Sequence, residues 1–358
     1  MYLCVFSIMA STHFNMSTAA DVTHSEWAWQ IVTSSPVVAA AGAGGWLLLQ
    51  TVQTTLTVLA LSDNCLSLLV IYGLVRLTSP LRLLTSLSFA DMLAAWAMMT
   101  LYLSAGNSAH HVTCGDVLHT SLLLSAHNVA ALSLTSLATS HHIATFRPLH
   151  YDSLLSARRV WTVTATVWTV SCLLGHVQFV MAAVSHQTGG GSYCEAVMRH
   201  IYIAVIASTL IAGFSLLMAV VVYARILVYL RPVDAFVQQP AALPDSRRRS
   251  TRGVITGILL FSCYALAWLP YLTARHLHSS STRHLAVNLS GTTLLAGCVM
   301  NPIIYGGRMT SLQDGYKRLW WRLVDHVRTL RSRCHRRSSA DISRLPITPL
   351  NQLSSICY

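Results

Sequence analysis

Charge is what this sequence has least of. Asp, Glu, Lys and Arg together make up 10% of its 358 residues, and lysine occurs once, at Lys317. Soluble domains carry about 25% charged residues, so this scarcity excludes an ordinary globular chain. Paired cysteines are missing too: the nine cysteines stand singly, with no Cys-x-x-Cys and no zinc-like Cys/His spacing. Seventeen histidines include the adjacent pairs His110-His111 and His141-His142, but none has a third ligand at helical spacing, so no metal site is expected. There is no His-Glu-x-x-His, no pair of intramembrane acids and no half-chain repeat of broken helices, which removes the intramembrane-enzyme and transporter readings. Nor is there a solvated basic domain with interleaved aromatics, so the net charge of +12 does not point to nucleic acid.

What the chain has instead is long apolar runs. Hydrophobic residues make up 53% and the mean hydropathy is +0.52. Seven runs suffice to cross a bilayer as helices: 46–75, 83–103, 115–138, 158–184, 201–230, 254–273 and 285–305. The expected fold is an all-α membrane protein, a seven-transmembrane helix bundle over residues 46–306 with an N-terminal segment, 1–45, before it. After it, Tyr316, Leu319, Trp320, Leu323 and Val327 alternate with basic residues, which predicts an amphipathic surface helix over 307–330 and a disordered tail over 331–358.

Arginines fall in the first, third and fifth connections and in the tail, while the other connections hold only Arg199, Arg275 and Arg283. Positive charge stays on the cytoplasmic side, so the N-terminus is expected outside the cell and the tail inside, in a multi-pass protein of the plasma membrane. That orientation exposes Asn15, in Asn15-Met16-Ser17, to glycosylation. It also puts Cys114 and Cys194, the two cysteines in polar connections, on the oxidising side, where a disulfide between them is expected. Cys334, just beyond the surface helix, is a candidate for palmitoylation.

A few polar residues interrupt the runs. Asp91 lies within hydrocarbon, where an acid is costly and marks a functional site, with Asn64 and Asn301 as its candidate polar company. Asn301-Pro302 removes one backbone hydrogen bond and frees the carbonyl of Cys298, four residues back. In lipid that carbonyl needs a partner: the Asn301 side chain, a neighbouring helix or a trapped water. Pro270 frees the carbonyl of Leu266 in the same way.

Taken in order, Asn64, Leu87 to Asp91, the Cys114 and Cys194 pair, Trp168, Tyr223, Trp268-x-Pro270 and Asn301-Pro302-x-x-Tyr305 resemble the marks of a rhodopsin-like (class A) G-protein-coupled receptor. The resemblance covers about residues 46 to 330 and resolves no subfamily. It implies an outer half that binds a ligand and an inner face that engages a heterotrimeric G protein, with arrestin and receptor kinases as further partners. On this pattern His119, Leu123, His127, Trp268 and Tyr271 line the ligand pocket, and Trp268, Pro270 and Tyr223 form the activation switch. Asn64, Asp91, Asn301, Pro302 and Tyr305 form a sodium/water site and hinge, with a sodium ion near Asp91 as the one cofactor implied. Ser140, His141, His142, Arg147 and Arg225 form the G-protein face.

Two departures bear on function. The family's acidic-Arg-aromatic triplet stands here as Ser140-His141-His142, and Ser250 occupies the place of the acid that would hold that arginine. No Asp lies one to three turns into the third helix, which argues against a biogenic amine. The neutral donors fit a lipid or small neutral ligand; a peptide is also compatible with the pattern. The competing reading is a non-signalling heptahelical decoy or scaffold that keeps the fold and has lost the triplet.

Overall fold

The computed structural model describes residues 35–107, 114–186, 193–236, 245–275 and 280–342. Each apolar run becomes a helix: the first span is Ser35–Leu74, the second Ser79–Asn107, the third Cys114–Phe146, the fifth Ile201–Phe236, the sixth Asp245–Arg275 and the seventh Ser280–Arg308. The fourth comes in two pieces, Ala157–Gly175 and Val177–His186, broken at His176, whose ring Nδ1 lies 2.9 Å from the Cys172 carbonyl oxygen.

Among the described residues six spans are long and apolar enough to cross a membrane by themselves. The seventh helix has 29 residues, and its Ser290, Thr292, Thr293 and Asn301 serve contacts inside the bundle. Ser290 and Asn301 are buried, Thr292 accepts from Gln53 Nε2 at 3.2 Å, and Thr293 Oγ1 donates to the Ala267 carbonyl at 3.4 Å.

The third span is the axis, packed against the second, fourth, fifth and sixth, while the seventh closes the ring by packing against the first and the sixth. Lipid tails are as apolar as leucine, so close approach and hydrogen bonds hold such helices together better than greasy side chains do. The structure obeys this. Leu69, Leu173, Val184, Leu210 and Leu266 face outward, whereas the sixth and seventh spans meet where a Cβ on Gly297 would lie 2.5 Å from the Ala267 Cβ.

Several boundaries differ from expectation. The first helix begins at Ser35, and the third runs on to Phe146, through Ser140-His141-His142, because nothing breaks it before Pro148. A turn of 3-10 helix, Pro148–His150, and one helical turn, Tyr151–Leu154, complete that connection. The helix after the seventh span is Thr310–Ile342, so residues 331–342, expected to be disordered, are helical. Neither proline nor glycine occurs from Tyr316 to Leu345, and arginine is a good helix former. Asn15 lies outside the described residues, and Cys334 falls within the last helix.

Candidate functional site

A polar cluster sits where the first, second and seventh spans meet. The Asp91 carboxylate is 3% exposed and accepts from Asn301 Nδ2 at 2.9 Å. Asn64 Nδ2 donates to the Ala60 carbonyl at 2.9 Å and to the Cys298 carbonyl at 3.1 Å. The second acceptor is the one that Pro302 strips of its helical donor. Of the three partners open to it, a neighbouring helix supplies the bond. One turn further on, the Tyr305 hydroxyl pairs with Ser88 Oγ at 2.7 Å. Beside it the Tyr316 hydroxyl, from the surface helix, pairs with Ser67 Oγ at 2.7 Å. Asn64 Oδ1 and Asn301 Oδ1 are buried without a protein donor.

A column of rings runs down the bundle from this level and above it. The His127 ring lies 4.2 Å from that of Trp268 and stacks on Tyr264 at 5.7 Å, with Nε2 3.2 Å from the Ser208 carbonyl oxygen. Trp268 meets Tyr271 edge-on at 6.0 Å. Downward, centroid separations of 6.4 Å from Trp268 to Tyr264, 6.1 Å to Phe261, 6.4 Å to Tyr223 and 6.2 Å to His141 carry the column to the arginine-rich end.

At that end His141 Nδ1 lies 3.3 Å from the Tyr223 hydroxyl. Both press on a bare edge of the sixth span. A Cβ on Gly257 would collide with the Tyr223 hydroxyl and sit 3.0 Å from His141 Cε1; one on Gly253 would sit 3.5 Å from His141 Nε2. Glycine is what lets the helices come this near. Among the described residues no ion pair joins the third span to the sixth here. The sixth is tied instead to the seventh, where Arg308 Nε donates to Thr256 Oγ1 at 3.3 Å. Outside this contact, Phe146 packs on His142 at 4.5 Å and on Tyr229 at 4.9 Å, with the Arg225 guanidinium 5.7 Å above its ring.

At the opposite end Cys114 and Cys194 form a disulfide, with Cα atoms 5.4 Å apart, joining the start of the third span to the helix Tyr193–Arg199. This pin, the hub at Asp91 and the ring column all lie within one matched stretch: the family model for the 7 transmembrane receptor (rhodopsin family) covers residues 63–305. The chain belongs to the rhodopsin family of seven-transmembrane receptors. No curated protein matches it individually.

The receptor is therefore a multi-pass membrane protein of a G-protein-coupled, non-enzymatic family. Its expected site residues sort clearly by position. Asn64, Asp91, Asn301, Pro302 and Tyr305 come together, the first three through hydrogen bonds around Asp91 and Cys298. His127, Trp268 and Tyr271 form one ring cluster, with Leu123 fully buried on the same helix as His127, one turn above. His119 does not join them: its ring meets Trp96 of the second span at 5.2 Å. Trp268 and Tyr223 are linked through Phe261 and Tyr264, which sequence reasoning gave no role. Their spacing with Trp268 and Tyr271, at i, i+3, i+7 and i+10, is the signal that could have found them. On the expected G-protein face, Arg147 and Arg225 are exposed and His141 and His142 half-buried. Ser140 is buried at 1% and presents nothing outward.

Proposed function

We propose that the receptor lies in the plasma membrane with its N-terminus outside the cell, takes a neutral lipid or small-molecule ligand above Trp268, and signals through a heterotrimeric G protein from a weakly restrained resting state. The observation that carries this reading is the contact of His141 with Tyr223 and Gly257 in place of an ion pair. Arginine is always charged, whereas a histidine is near neutral at pH 7. A neutral hydrogen bond contributes about 0.5–1.5 kcal/mol and a charge-assisted one about 1.5–3 kcal/mol. The missing difference of about 1.4 kcal/mol corresponds to roughly a tenfold larger open population.

Ligand binding acts on that population only through its differential affinity for the two states. The ring cluster of His127, Trp268 and Tyr271 offers apolar area with neutral donors, which suits an uncharged ligand. Pro270 supports a pivot, because the ring of a proline inside the helix removes the backbone bond to the Leu266 carbonyl, at the level of this cluster. Asp91 with Asn64 Oδ1 and Asn301 Oδ1 offers oxygen acceptors of the kind a sodium ion takes. The exposed Arg147 and Arg225 suit an acidic G-protein surface, and the same face is open to arrestin and receptor kinases.

The same loss of arginine also supports the decoy or scaffold reading, and one experiment separates the two. Full-length receptor in lipid nanodiscs is presented with a panel of purified G proteins, and ligand-free nucleotide exchange is measured. The wild type is expected to drive exchange, and His141→Arg combined with Ser250→Glu to lower it about tenfold, the factor that 1.4 kcal/mol represents. Equal rates in the two would end the weak-restraint reading. No exchange on any G protein, with the fold intact, would establish the decoy.

A further inference from the structure

The third and fourth spans carry facing polar stripes that neither the ring column nor the Asp91 cluster uses. On the third, Ser121, Ser125 and Asn128 recur at i, i+4 and i+7; on the fourth, Ser171, Gly175 and Gln178 do the same. Ser121, Ser125, Asn128, Ser171 and Gln178 are all 0% exposed.

The upper rungs of this seam are formed by protein alone. Gln178 Nε2 donates to Ser121 Oγ and, at 2.9 Å, to the Gly175 carbonyl. Gly175 lacks the Cβ that would strike Ser125 Oγ and come within 2.9 Å of the Ser121 carbonyl oxygen. A lower tie is also in place: Trp168 Nε1 donates to Ser86 Oγ at 3.0 Å, which pairs with Ser133 Oγ at 3.0 Å. The two spans run antiparallel. One turn below the Gly175 and Ser125 contact, and above the Trp168 tie, Ser171 and Asn128 therefore stand at the same depth, on the faces already shown to meet.

At that depth protein partners run out. Asn128 Nδ2, Asn128 Oδ1 and Ser171 Oγ are buried with no hydrogen-bond partner in the protein. A carboxamide with both ends unpaired in a membrane interior is a costly arrangement, and in folded proteins such groups are met by ordered water. A buried water needs two to four polar partners, and an amide and a hydroxyl facing each other offer both donors and acceptors.

We propose that Asn128 and Ser171 form a site for an ordered water molecule that bridges the third and fourth spans and completes a polar ladder from Gln178 down to Trp168. The ladder shares no residue with the Asp91 cluster, so it is a second hydrated track through the bundle, and it stands whether or not the receptor couples to a G protein.

Thermal unfolding of purified full-length receptor tests the site through Asn128→Leu, Ser171→Ala and the double variant. Each single change is expected to lower Tm by about 1–2 °C, on the scale of a 1 kcal/mol loss for a chain of this size. The double variant is expected to lose no more than the worse single one, because the water and both its partners leave together. Additive losses would overturn the proposal. Should Asn128→Leu not fold, Asn128→Ala enters the same cycle. A density map fine enough to show bound water gives the independent reading: a water peak within hydrogen-bond reach of both side chains supports the site, and a direct Asn128–Ser171 bond or an apolar-filled gap overturns it.

Discussion

Asn64 uses one amide nitrogen to serve two carbonyls, and the pairing shows how a proline is tolerated inside the membrane. Pro302 deprives Cys298 of its helical donor, and Asn64 restores one from across the bundle at 3.1 Å. An apolar replacement leaves the carbonyl orphaned, a loss of about 1–3 kcal/mol. Asn64→Leu is therefore expected to lower Tm by about 2–4 °C, taking about 2 kcal/mol at about 1–2 °C per kcal/mol for a chain of this size. Pro302→Ala puts an N–H back within the helix, so the double variant is expected to lose less than the two single losses summed. Differential scanning fluorimetry of the three variants in detergent checks both points, and an unchanged Tm for Asn64→Leu would refute the assignment.

At the scale of elements, the sixth span is defined as much by an empty edge as by its side chains. The atom that a Gly257 Cβ would strike is the Tyr223 hydroxyl oxygen, with Tyr223 Cζ next nearest and His141 Cε1 just beyond it. Forcing a methyl into a filled contact costs about 1–3 kcal/mol. Gly257→Ala is expected to lower Tm correspondingly, and Tyr223→Phe, which deletes the struck atom, to recover part of the loss in the double variant. Thermal melts of the four proteins decide it; no recovery would place the strain elsewhere.

Elements differ in how much of themselves they wrote into the sequence. The spans were legible because an apolar run of bilayer length has few alternatives. The proline at 302 disclosed which carbonyl is freed but not which of three partners takes it, since that depends on how the first and seventh spans dock. The glycine edge at 253 and 257 was illegible for the opposite reason: within one helix such residues register only as weak helix formers, and their purpose appears when Tyr223 and His141 arrive from two other spans. His119 looked like its neighbours on the third span, yet a turn of the helix aims it at Trp96. The helical stretch 331–342 was hidden by its polarity, which reads as disorder although no residue in it breaks a helix.

For the whole molecule, the disulfide and the ring column act on different freedoms. Cys114 and Cys194 are 80 residues apart in sequence, and closing a loop of that length removes about 4–5 kcal/mol of chain entropy from the unfolded state. Cys114→Ser with Cys194→Ser is expected to lower Tm by about 6 °C, judged by thermal melts in which added reductant has no further effect on the variant. Tyr271, Trp268, Tyr264 and Phe261 all project from one edge of the sixth span, and each touches the ring before it. Mechanically they are the teeth of a rack. Rolling the helix about its own axis would carry the four rings together and unseat Trp268 and Tyr264 from His127 and Phe261 from Tyr223, whereas tilting it about Pro270 disturbs chiefly the lowest, Phe261, where it meets Tyr223. The side chains thus oppose torsion of this rod more than bending, so on the proposed function a push on Trp268 would be delivered below as sideways travel and not as twist.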